Sequence, residues 1–79
     1  MPETVSITVG AIAHLASNGS AIFSGVNAAG SRIRVVAGAR SLPRQPIVGE
    51  AWEIAGEFRE HPKYGRQLYA TRGHYSMPK

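Results

Sequence analysis

Apolar and polar residues alternate along most of this chain with a period of two. Val5, Ile7, Val9, Ala11 and Ala13 interleave with Ser6, Thr8, Gly10, Ile12 and His14. Successive strand residues face opposite ways, so the pattern predicts a half-buried strand over Val5–Leu15. Asn18-Gly19 follows, a hairpin signal because both residues tolerate positive φ. A second strand is predicted from Ala21 to Val26, although Ala21-Ile22-Phe23-Ser24 does not fix the face of Phe23. Asn27-Ala28-Ala29-Gly30 turns the chain back into a third strand, Arg32 to Gly38. There Ile33, Val35 and Ala37 share one face, and Arg32, Arg34 and Val36 the other. The fourth strand, Glu50 to Phe58, sets Trp52, Ile54 and Phe58 against Glu53 and Glu57. In the fifth, Arg66 to Tyr75, Leu68 and Ala70 match the core parity, while Tyr69 and Thr71 face outward.

The longest break is Ala39–Gly49, where Pro43 and Pro46 oppose a helix. There is no internal repeat and no low-complexity tract. Met77-Pro78-Lys79 reads as a frayed tail or as the point where a longer protein was cut, which leaves an ordered part over 4–76. Five strands, regular turns and no helical periodicity predict an all-β fold, a small five-stranded OB-like barrel, with a small SH3-like barrel as the alternative. Closure removes the exposed edges that an open five-stranded sheet would carry.

Size and composition narrow the function. A chain of 79 residues makes one small domain, which buries only about 60–65 % of its unfolded surface. It has no cysteine, hence no disulfide and no thiolate metal site. No apolar run is long enough to span a membrane, and Met1-Pro2-Glu3-Thr4 lacks the basic start of a signal peptide. The expectation is a cytoplasmic protein without membrane contact. Charge is lopsided: only Glu3 is charged before Arg32, and all nine Lys and Arg come from Arg32 onward. Most of these are arginine, the planar donor that grips phosphate and stacks on bases. The net charge of +4 and a sequence pI near 10.1 favour a polyanionic partner.

The segment Glu57 to Tyr69 concentrates this chemistry. Pro62 fixes its own φ and pushes His61 toward extended geometry. Gly65 supplies a positive φ where the chain reverses. Lys63 and Tyr64 are thus held at a loop tip beside Arg66, a combination suited to a phosphate backbone and an unstacked base.

From Val5 to Tyr75 the chain resembles the N-terminal OB-like domain of RecD-like DNA helicases. The resemblance is carried by the first strand, Asn18-Gly19, Gly49-Glu50 before Glu53-Ile54-Ala55-Gly56-Glu57, and above all His61-Pro62-Lys63-Tyr64-Gly65-Arg66-Gln67-Leu68. Ser20-Ala21 and the long basic loop Ala39–Gly49 depart from the family pattern. The resemblance implies an accessory domain ahead of an ATP-driven motor, with no catalytic residue of its own. The motor is not in this chain, which lacks a Gly-x-x-x-x-Gly-Lys-Ser/Thr phosphate loop.

Other chemistries find little purchase. His14, His61 and His74 form no local ligand pair, so no metal or other cofactor is expected, and His61 is assigned to ordering the turn. Glu53 and Glu57 lie about 13 Å apart along a strand, too far for concerted acid–base work. No catalytic residue and no enzyme activity are expected. OB-folds bind through strands two and three and through the loops joining strands one–two and four–five. Those loops are Ala16–Ser20 and Glu60–Gly65 here. The candidate nucleic-acid contacts are Arg32, Arg34, Lys63 and Arg66 for phosphates, and Tyr64 and Tyr69 for base stacking. Each has a plainer alternative: the cations as solubilising charge, and Tyr64 packing back on the barrel. Trp52 is assigned to the core. Arg40 and Arg44 either extend a phosphate track or decorate a flexible loop. The leading expectation is a single-stranded DNA-binding module working with a helicase motor domain. The alternative is a protein-interaction domain or small adaptor using exposed apolar residues such as Val36 or Ile47.

Overall fold

A computed structural model describes residues 3–76, so the tail at 77–79 lies outside the described residues. Five strands are present: β1 (Glu3–Leu15), β2 (Ala21–Asn27), β3 (Arg32–Ala37), β4 (Ala51–His61) and β5 (Gly65–Ser76). They close into a barrel in the order β1-β2-β3-β5-β4, with β4 returning to β1. All neighbours are antiparallel except β3 and β5, which run parallel. The protein is a small OB-like barrel, and no helix occurs among the described residues.

Alternation builds the core. Ile7, Val9, Phe23, Val35, Trp52, Ile54 and Leu68 are all buried. Phe23, undecided by sequence, points inward and is 1 % exposed. In β1 the expected alternation fails after Val9. The β1–β2 register shifts between Val9 and Ala11 and again between Ile12 and His14. An extra residue in one strand reverses the facing of those that follow. Ile12 therefore packs on the core, whereas Ala11 and Ala13 are exposed.

Short turns join β1 to β2, β2 to β3 and β4 to β5. Asn18-Gly19 does form the β1–β2 connection, but only Gly19 takes a positive φ, at 96°. Asn18 acts through its side chain instead, Oδ1 accepting from the amide and the hydroxyl of Ser20. A third register shift, where Ala55 and Gly56 of β4 face Arg72 and Ala70 of β5, brings strands very close. A Cβ on Gly56 would lie 2.1 Å from the carbonyl oxygen of Tyr69, so only glycine fits.

The β3–β4 loop covers the barrel end near Trp52 and Tyr75. Leu42 packs against the core, and Pro46 is fully buried. The Ser41 hydroxyl donates to the carbonyl of Ala70, and Gly49 N–H donates to the carbonyl of Val9. Arg44 forms an ion pair with Glu50 and lies over the Tyr75 ring at 4.3 Å. The other oxygen of Glu50 accepts from Ile47 N–H and from the indole N–H of Trp52. Arg44 is thus a structural clamp, neither a free phosphate contact nor part of an unordered loop. Its hydrogen bond to Glu50 holds that carboxyl below the usual range and the guanidinium above its own, with burial opposing both.

Candidate nucleic-acid interface

The β4–β5 turn is held by the imidazole of His61. Its Nδ1 accepts from the backbone N–H of Lys63 at 3.0 Å and of Tyr64 at 3.2 Å. His61 ends β4 in extended geometry, as a residue before proline favours, and Gly65 reverses the chain with φ 74°. The His61 and Tyr64 rings lie 4.9 Å apart. Tyr64 is therefore fixed by its backbone while remaining 51 % exposed.

Arg34 reaches this ring from β3. Its guanidinium carbon sits 4.4 Å from the Tyr64 centroid, and Lys63 Nζ lies 5.5 Å from it. Both distances fall within cation–π range. Arg34 is half-buried, has no carboxylate partner among the described residues, and carries a buried Nε with no hydrogen-bond partner. Gln67 lies opposite Arg34 in the β3–β5 ladder. Although it has outward parity, Gln67 is 3 % exposed, and its Oε1 accepts from the Tyr69 hydroxyl.

Arg34, Lys63, Tyr64 and Tyr69 thus share the outer face of β3 and β5, around a buried Gln67. Sequence reasoning missed two members of this face. Arg59 lies 5.7 Å from the Tyr69 ring and pairs with Glu57. Its parity with Glu57 could have placed it there. Gln67 could have been found as the one uncharged polar residue between the turn and the core position Leu68.

The remaining two candidates lie elsewhere. Arg66 has the parity of Leu68 and turns to the barrel rim, its guanidinium carbon 4.1 Å from the Phe58 centroid. Arg66 and Arg32 line one crevice with Asn27, Ser31, Ile33 and Phe58. The six candidates therefore form two groups: four on the outer face and two at the rim. The Ala16–Ser20 loop lies at the far end of β2 and β3 from the β4–β5 turn, because Ala21 pairs with Ala37 and Asn27 precedes the turn into Arg32. It carries no cation.

Val36 is half-buried, which weakens it as a docking residue, whereas Ile47 is 57 % exposed. Ile47, Val48, Leu15 and Ile12 line an apolar groove on the side away from the β4–β5 turn. Among the described residues no cluster of three or more His, Asp or Glu is placed to hold a metal ion, and no helix is long and apolar enough to cross a membrane. No protein-family model matches the sequence, and no curated protein matches it either.

Proposed function

We propose that this barrel is a nucleic-acid-binding OB module for single-stranded DNA, accessory to a RecD-like helicase and without catalysis of its own. The observation that carries the reading is the Arg34–Tyr64 stack. An arginine with no carboxylate partner among the described residues lies against an exposed tyrosine whose backbone is pinned by His61. Holding an unpaired guanidinium half-buried is costly for stability alone and useful for an anionic ligand. Arg34 and Lys63 meet phosphates; Tyr64 and Tyr69 offer ring surface to bases. Nothing on this face resembles a base-reading helix, so sequence preference is weak. The helicase association rests on the His61–Leu68 motif.

Fluorescence anisotropy with a labelled oligonucleotide at two salt concentrations tests the reading. Binding that weakens with salt is expected. No binding at low salt overturns it. A second reading, docking of a partner protein, is favoured by the apolar groove at Leu15, Ile47 and Val48. It gains if Ile47→Asp abolishes association with a helicase motor while oligonucleotide binding stays intact.

A further inference from the structure

We propose that the rim crevice between Arg32 and Arg66 takes a terminal phosphate of the bound strand. The proposal rests on the single-strand reading above and gives these two arginines a different task from that of Arg34 and Lys63.

Both side chains are exposed, and neither joins an ion pair among the described residues. For Arg66 this is informative. Glu60 lies directly opposite it in the β4–β5 ladder, close enough for a cross-strand pair. The guanidinium instead lies over Phe58. Stacking occupies the face of the guanidinium and leaves its N–H edge open. It also restricts the side chain, so less freedom is lost when a ligand arrives.

The rest of the lining is matched to an acceptor-rich group. Asn27 Oδ1 already accepts from the amides of Ala29 and Ser31, which leaves the side-chain NH₂ as a donor. The Ser31 hydroxyl adds another donor. Ile33 and Phe58 supply hydrocarbon walls. A phosphodiester inside a strand carries a single charge. A terminal monoester carries about −1.5 to −2 and three acceptor oxygens, which two guanidinium groups satisfy. The β2–β3 turn also walls one side of the crevice, as its Asn27 and Ser31 linings show. A strand end enters such a place more readily than a continuous backbone.

The test uses internally labelled oligonucleotides of one sequence bearing a 5′-phosphate, a 3′-phosphate or hydroxyl ends, at one salt concentration. One phosphorylated form should bind roughly tenfold tighter than the hydroxyl form, the size of one charge-assisted contact. Which form it is identifies the end that is held. The gain should vanish in Arg32→Ala and Arg66→Ala, both of which should melt like the parent, while Glu60→Gln should enlarge it. Equal binding of all three oligonucleotides overturns the subsite but leaves the surface reading standing. A gain that survives both arginine variants removes the subsite from this crevice. Failure of every oligonucleotide to bind overturns the surface reading and this proposal with it.

Discussion

The indole N–H of Trp52 donates to Glu50 Oε1 at 3.2 Å, tying a fully buried core ring to the loop that covers the barrel end. Glu50 Oε2 meets Arg44, which in turn lies over Tyr75. The middle and the end of one loop are thereby fastened to the same patch of core.

This clamp gives stability a defined pH dependence. The folded-state pKa of Glu50 is lowered, chiefly by its hydrogen bond to Arg44. Its contribution is therefore fully present above the ordinary carboxylate pKa and disappears as pH falls through the lower folded value. Thermal melts should show the parent losing stability below about pH 4.5, where Glu50→Gln has less left to lose. Parallel curves for the two proteins would remove the clamp from the account.

Trp52→Ala should damage folding itself. Removing a buried large aromatic costs about 3–5 kcal/mol, comparable to the whole stability of a domain this small. Trp52→Phe keeps most of the packing and loses the indole donor, so it should fall between parent and alanine. Circular-dichroism melts rank the three.

Gly56→Ala should be more harmful than its size implies. The added methyl would sit 2.1 Å from a backbone oxygen rather than against a flexible side chain, so strands β4 and β5 must separate. Overpacking of this kind costs typically about 1–3 kcal/mol. Urea unfolding measures it, and a midpoint equal to the parent's would show that the strands can give way.

On the outer face, Arg34→Ala and Tyr64→Ala should both weaken oligonucleotide binding but differ in salt response. Each lost phosphate contact lowers the log–log salt slope by about 0.7 for a single strand. Arg34→Ala should show that change. Tyr64→Ala should not, because stacking releases no counterion. Identical slopes in the two variants would contradict the assigned roles.

His61→Ala should speed amide hydrogen exchange at Lys63 and Tyr64, since it removes the acceptor of both N–H groups. It should weaken oligonucleotide binding without lowering the melting temperature greatly, because the turn is exposed.

Much of the barrel was legible in the sequence. Alternation in β3 and β4 fell between clear turn signals, and Trp52, Ile54 and Leu68 carried their burial in their parity. The reversal in β1 was not legible, because a bulge is decided by the pairing partner and leaves little local trace. Nor was the pairing of Arg44 with Glu50, which a proline-bearing loop brings together without periodicity. At the candidate site the turn at His61–Gly65 could be read from Pro62 and Gly65. The separation of Arg66 from Lys63 was present in its parity with Leu68, a constraint outweighed by nearness in sequence.

The single parallel pairing, β3 with β5, has a consequence for assembly. β1, β2 and β3 are joined by short turns and form one local meander; β4 and β5 form one hairpin. Closure requires that hairpin to slot between β1 and β3, making two seams at once. This connectivity predicts folding by the docking of two locally paired halves on a tether whose length enters only logarithmically. A chain severed at the exposed Gly38–Arg40 stretch should therefore still reassemble from its two pieces, the closed barrel serving as the joint between them.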